Sequence, residues 1–393
     1  MRKLYLFAAF LVIYEFTTYI ANDMIMPGML HVVKEFHAPI RYVSLSLSLY
    51  LLGNMSLQLF LGPLADKFGK RKVILTGNMF FLIFTIFIMS AQNIHQFMLG
   101  RLLQGSGLSV IALGYTLIHE KFDDKSSVKI FAIMANVSLL APLIGPLVGV
   151  VVMQAFGWRH IFILIAILAI ITLSGLYKFI PKEVPKKANL EISSIVSNYI
   201  SILKMPQITV GIICTGFMAL PILYWIALTP TILMHVERLS MIHYAVCQLF
   251  AIGGLSISAI TMQFIAGKYS FYRLIVAACF LSFIGLGVGL VFHYDLKLIV
   301  FGMFLYSFGL GIANSLLVRI IMTVPGVSKN MLTSLMVFIQ TVMFAVGIEL
   351  TSHISEKFGY SLYSFTIIGF VTACIFFIMT NIYAYHNRRR KWK

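Results

Sequence analysis

"ADKFGKRKVI" (residues 65–74) returns 201 positions later as "AGKYSFYRLI" (266–275). Two more pairs keep nearly that spacing: "GRLLQGSGL" (100–108) with "GMFLYSFGL" (302–310), and "AFGW" (155–158) with "KFGY" (357–360), both offset by 202. Each match alone is weak, but three at nearly one offset imply that the chain is one unit duplicated. What surrounds them sets the class. Hydrophobic residues make up 60% of the 393 residues, charged residues 11%, and mean hydropathy is +0.94. A soluble chain of this length could not bury so much apolar surface, and apolar runs of membrane-spanning length recur throughout.

The pattern predicts an all-α membrane protein with twelve spans, at about 5–26, 42–63, 73–92, 95–118, 128–156, 158–180, 207–234, 242–266, 272–294, 297–324, 330–355 and 360–385. The longest connector, 181–206, is polar and bounded by Pro181 and Pro206. It divides the chain into a six-helix bundle at 1–180 and a second at 207–393 that ends in a basic tail. Parallel repeats of this kind, related by an axis along the membrane normal, are a transporter architecture. Orientation follows from the 30 Lys and Arg: with the N-terminus inside, cytoplasmic segments hold 22 and outer segments six. Both termini are therefore expected in the cytoplasm, and much of the net charge of +17 is an orientation signal rather than a nucleic-acid surface.

Other classes lose ground on motifs. Cys214, Cys247, Cys279 and Cys374 are scattered through apolar runs, so neither a disulfide nor a metal site is expected. No GxxxxGK[ST] is present to drive pumping by ATP, and no HExxH or GxSxG points to an enzyme. No cofactor is expected, and the chain is read as a monomer. The apolar N-terminus is interrupted by Glu15 and is read as a retained first span rather than a signal peptide.

Five formal charges fall within spans: Glu15, Asp23, Arg101, Arg319 and Glu349. Each costs roughly 2.5–3.5 kcal/mol at a helix centre. Snorkelling accounts for Arg319 and Glu349 near their span ends. It does not account for Glu15, whose short stem sits mid-span, and burial favours the proton-bound form of any carboxyl. Glu15 is thus a candidate proton carrier. Asp23 is about 80° round the helix from it and about 12 Å along the axis, so one cavity can hold both. The depths of Asp23 and Arg101 agree within about 5 Å, which permits direct or water-mediated pairing. "NDMIMPG" (22–28) then loosens the helix at Pro27 and Gly28.

Two further stretches carry mechanics. "GPLADKFGKRK" (62–72) joins spans 2 and 3, where Asp66 with Lys70 and Arg71 can form a charge latch at a cytoplasmic gate. "APLIGPLVG" (141–149) places Gly145 and Gly149 on one small-xxx-small face, with Pro142 and Pro146 permitting a bend. These two stretches and "GRLLQGSG" (100–107) resemble the loop 2–3, span-5 and span-4 signatures of the major facilitator superfamily. "YEFTTYIANDMIMPGML" (14–30), "MANVSLLAPLIGPLVG" (134–149) and "LMVFIQTVMFAVGIEL" (335–350) are similar to its proton-coupled multidrug antiporters.

The resemblance implies that Glu15 and Asp23 bind proton and drug, that Arg101 couples them, and that Asp66 is the latch acid. It implies a pocket lined by Tyr19, Asn22, Leu108, Met134, Ser138 and Pro142. Ser138 stands where a small apolar residue is expected. In the second repeat Gly267 replaces the latch acid and Met303 the arginine, so proton chemistry is expected in the first half only. Tyr224 and Trp225, in "LPILYWIALTP" (220–230), are further pocket candidates in a chain with 21 Met, 33 Phe and 18 Tyr, whose flexible or flat side chains can repack around different ligands. The expected function is proton-coupled antiport, exporting lipophilic small molecules across a bacterial inner membrane. The alternative is a dedicated exporter of one metabolite or siderophore; an importer is disfavoured by the antiporter-like span 5.

Overall fold

The computed structural model describes residues 2–182 and 192–388. Lys186 and Lys187 of the predicted linker, and the basic tail from Arg389 to Lys393, lie outside these described residues. The described residues form helices joined by short turns, with no strand among them. The first span is α1 (Arg2–Asp23), a 3-10 turn at Met26–Gly28 and α2 (Met29–Glu35). The second is α3 (Tyr42–Gln58) and α4 (Leu61–Phe68), which meet at a bend of 52°. Then follow α5 (Lys70–Met89), α6 (Ile94–Ser109) continued by α7 (Ile111–Lys121), α8 (Asp124–Phe156) and α9 (Trp158–Phe179). The second repeat comprises α10 (Ile192–Leu203), α11 (Pro206–Thr229) ending in a π-helical stretch Pro230–Val236, α12 (Met241–Ile265), α13 (Phe271–Val291), α14 (Leu296–Met322), α15 (Lys329–Lys357) and α16 (Leu362–His386).

Among the described residues, ten segments are long and apolar enough to cross a membrane, or up to twelve when each of two bent pairs is counted as one span. The chain forms two compact units, Met1–Ser193 and Ser194–Lys393, and the boundary lies inside the predicted 181–206 connector. That connector is not all loop, because α10 occupies its second half.

Proline and glycine punctuate these helices for identifiable reasons. Pro27 has no N–H to continue α1, and the chain passes through a 3-10 turn before α2 resumes. In α8 the Pro142 ring conflicts with the carbonyl four residues back, at Ser138, and the helix bends by 42° between Ser138 and Leu140. Gly157, with φ of +88°, reverses the chain between α8 and α9 without any longer connector.

Packing explains why the repeated stretches share glycines. A Cβ on Gly53 would lie 1.9 Å from the Leu102 carbonyl oxygen, and one on Gly254, 201 positions later, 2.4 Å from that of Phe304. Likewise Gly107 abuts the Gly77 carbonyl at 3.0 Å, and its partner Gly309 the Ala278 carbonyl at 2.4 Å. Both units thus bring their fourth span into backbone contact with its neighbours, where any side chain would force the helices apart. Each unit also ties its first span to its fourth by a buried tyrosine. Tyr14 donates to the Gly107 carbonyl at 2.5 Å, and Tyr306 donates to that of Met218 at 2.6 Å.

Candidate functional site

The close approach of α3 and α6 in the first unit buries Arg101 completely (0% exposed), and on α1 it leaves Asp23 at 5% and Glu15 at 2%. Side chains of three helices meet the guanidinium. Arg101 donates from Nε to Ser46 Oγ of α3 at 3.2 Å, from Nη1 to Gln104 Oε1 of α6 at 2.8 Å, and from Nη2 to Asn22 Oδ1 of α1 at 2.7 Å. Its face lies over the Tyr50 ring, 4.4 Å from the centroid. Gln104 is held in turn from α5, donating to Thr85 Oγ1 at 2.8 Å, and Tyr50 donates to the Thr18 carbonyl at 2.7 Å.

The pairing of Asp23 with Arg101 is indirect. All three Arg101 acceptors are neutral, and the carboxylate is reached through Asn22, whose Nδ2 donates to Asp23 Oδ1 at 3.3 Å. The amide therefore takes the contact position between the cation and the acid. The reason is geometric: Asp23 is the last residue of α1, and Asn22 beside it has one acceptor for the cation and one donor for the acid. Arg101 keeps its counter-charge near enough to offset burial, but at one side chain's remove.

Glu15 forms a second cluster. Its Oε1 accepts from Tyr115 Oη at 2.9 Å and from Ser138 Oγ at 3.0 Å, while its buried Oε2 has no hydrogen-bond partner. The carbonyl that Pro142 crowds belongs to Ser138, so the bend in α8 occurs where the hydroxyl reaches Glu15. Tyr19 lies four residues from each acid and interacts with both, as well as with Ser138. Met134 accepts from Ser138 through its carbonyl at 3.1 Å. Leu108 and Met134 are buried, and Pro142 is half-buried.

The glycines of span 5 pack directly on this site. A Cβ on Gly145 would lie 2.7 Å from that of Asp23, and one on Gly149 would lie 2.1 Å from the Met24 carbonyl. The predicted small-xxx-small face is thus the surface on which the end of α1 rests. In the loop between spans 2 and 3, Lys70 binds both oxygens of Glu120, at the end of α7, at 2.6 Å. Arg71 donates to the Tyr177 carbonyl at 2.6 Å and to that of Ile180, engaging the carbonyls at the C-terminal end of α9. Asp66 is half-buried in the last turn of α4.

Tyr224 and Trp225 belong to the second unit and are buried in it. Trp225 donates to Gln248 at 2.7 Å, Gln248 donates to Thr229 and Tyr244, and both aromatic rings pack on Phe365. Met303, the counterpart of Arg101, lines a small cavity of about 10 Å³ with Thr366 and Phe365, which is on the order of one water.

Several members of the site were not singled out from sequence. Gln104 stands three residues after Arg101, a spacing that shares a helix face and could have revealed it. Ser46, Tyr50, Thr85, Tyr115 and Glu120 come from other helices or distant turns and give no local signal. The same holds for Glu35, which accepts from Trp158 Nε1 at 2.7 Å and Arg159 at 2.6 Å and so ties α2 to the start of α9.

Comparison with known proteins agrees with this architecture. Residues 11–348 match the family model of the Major Facilitator Superfamily. The multidrug transporter MdfA of Yersinia pestis biovar Antiqua (strain Angola) is 39% identical over 355 residues, covering 89% of this chain and 87% of its own length. MdfA of Escherichia coli O6:H1 is 38% identical over 358 residues, covering 90% and 87%. Among solved structures, the nucleoside transporter NupG aligns with a TM-score of 0.73 at 14% identity, over 95% of this chain and 99% of its own. The human organic anion transporter MFSD10 gives 0.68 at 13%, over 96% and 99%. Twelve predicted spans in two repeats, a family model over most of the length and close relatives over nine tenths of it lead to one conclusion: the chain is a multi-pass membrane transporter that belongs to the Major Facilitator Superfamily.

Proposed function

We propose that this protein is a proton-coupled antiporter that exports lipophilic drugs, cationic ones among them, from the cytoplasm across a bacterial inner membrane by alternating access. The observation that carries the reading is the pair of buried acids on α1. Glu15 presents one oxygen fully occupied by Tyr115 and Ser138 and another with no protein partner. Asp23 is linked to Arg101 only through Asn22. The 38–39% identity to transporters named for multidrug transport supports the substrate class.

A buried oxygen without a partner costs about 1–3 kcal/mol, which a proton on the acid or a donor on the ligand can recover. Proton and ligand then compete. When the acids are ionised they attract a cation or accept hydrogen bonds from a neutral molecule; when protonated they lose that attraction, so lowering the pH weakens binding. Loading from the cytoplasm expels a proton, and protonation from the outside expels the ligand. Exchange needs this difference in affinity between the two states, since a ligand that bound both equally would shift nothing. Asp23 is the main switch, because its counter-charge Arg101 is held nearby, and Glu15 governs chiefly cationic substrates.

The test uses purified protein. Substrate binding is measured from mildly acidic to mildly alkaline pH, together with proton release on adding substrate. Asp23→Asn removes the pH dependence and proton-driven export, whereas Glu15→Gln impairs cationic substrates at least tenfold more than neutral ones. If Asp23→Asn releases protons like the parent, the assignment is wrong and Glu15 is the carrier. Transport of a single compound from a varied panel would favour the dedicated exporter instead.

A further inference from the structure

Helix α10, Ile192–Leu203, is too short to cross a bilayer: twelve residues rise about 18 Å against a hydrocarbon thickness of about 30 Å. It nevertheless exposes an ordered apolar stripe. Val196, Ile200 and Leu203 are 46%, 47% and 39% exposed, while Tyr199 and Ile202 are 8% and 5% exposed. At about 100° per residue, Val196, Ile200 and Leu203 fall within about 40° of one another's mean direction. The buried pair flanks this stripe on one side. Ser197, Ser201 and Lys204 lie beyond its other edge, and Asn198 lies opposite. The helix therefore has three faces: one packed on protein, one apolar and uncovered, and one polar.

Its location is set by its contacts. Tyr199 lies beside Ser334, in the second turn of α15, and Thr209 of α11 donates to the Leu203 carbonyl at 2.7 Å. Helices α11 and α15 both begin at this level, so α10 lies at the face of the membrane where the two spans enter. Lys204 at its end and Lys329 at the start of α15 are exposed there, and α10 itself has no acidic residue. An apolar stripe beside a polar face and a cationic rim is the pattern of a helix lying in the plane of a lipid interface.

The geometry points to α10 as an interfacial anchor whose Val196–Ile200–Leu203 stripe inserts among the acyl chains of the anionic leaflet at which α11 and α15 begin, with Lys204 at the headgroups. This rests on the fold and not on the transport reading. It makes α10 a lipid-bound element.

The test places a tryptophan on each face of the full-length protein, reconstituted in vesicles of phosphatidylcholine and phosphatidylglycerol brominated near the headgroup end of the acyl chain. Fluorescence is read as the increment over the parent chain with its three tryptophans. Val196→Trp and Ile200→Trp should each lose at least half of that increment, and Ser197→Trp and Ser201→Trp should lose little. Quenching at Ile200→Trp should be at least twofold stronger when only the phosphatidylglycerol is brominated than when only the phosphatidylcholine is, at equal mole fraction, and Lys204→Gln should reduce that ratio. Equal quenching on both faces, or none at Val196→Trp and Ile200→Trp because water or protein covers the stripe, overturns the proposal. Equal quenching by the two lipids overturns its anionic preference.

Discussion

Asn22 has a fixed polarity that neither neighbour can reverse. Arg101 offers only donors, so the Asn22 oxygen must face it, and the amide N–H is then left for Asp23. Asn22→Leu keeps the branched shape and deletes both bonds. One hydrogen bond to a charged group is worth about 1.5–3 kcal/mol, so the pH at which substrate binding is half-lost should move by about one to two units. An unmoved profile would leave Asn22 as a packing residue. Ser138→Ala removes one of two donors to Glu15 Oε1 and leaves Tyr115 to orient the carboxylate alone. Binding of a cationic substrate, followed by calorimetry, should weaken about 3- to 10-fold, with a smaller change for a neutral one. Rescue by Ser138→Thr would assign the effect to the hydroxyl. Glu15, Asp23 and Arg101 were legible in the sequence because charge in an apolar run needs a cause. Asn22 as a bridge was not, because only the packed structure shows which way its amide faces.

At the scale of elements, α8 rests on α1 through glycine. Gly149 would bring a Cβ 2.1 Å from the Met24 carbonyl, whereas Gly253 of α12 has open space at the same point. Both glycines are helical, so added side chains should act with opposite sign. Gly149→Ala forces the helices apart, and overpacking of about 1–3 kcal/mol should lower Tm by about 3–10 °C. Gly253→Ala only reduces the freedom of the unfolded chain and should leave Tm unchanged or slightly higher. Equal effects on thermal unfolding, followed by size exclusion after heating, would show that α8 does not rest on the end of α1. The span-5 motif was visible as spacing. That its glycines seat against Asp23 and Met24, and so place α8 on the helix carrying both acids, became clear only from the packing.

At the scale of the molecule, two six-span units follow from hydropathy and repetition, and the 22 to six distribution of Lys and Arg predicts the orientation of the whole. Reporter fusions near Asn93 should therefore report the outside and near Lys182 the cytoplasm; the reverse result would invert the direction assigned to export. The repeat is structural before it is chemical. Gly53 and Gly254, Gly107 and Gly309 repeat the same helix contacts, while Arg101 and Met303 do not repeat the same chemistry. One unit carries a buried cation in a polar network, and the other fills that place with a thioether beside a small cavity.

By itself the sequence determined the class, the number of spans, the duplication and the charges that hydrocarbon would not tolerate without a reason. These are properties of composition and periodicity, and they act on each segment separately through the cost of exposing polar groups to lipid. Only the tertiary structure decided the partners: Asn22 between Arg101 and Asp23, Tyr115 and Ser138 on one oxygen of Glu15, Glu120 on Lys70, and Tyr224 and Trp225 inside their own unit. A hydrogen bond depends on sub-ångström placement and on which way a side chain faces, and that is set by how helices distant in sequence pack, not by the residues on either side.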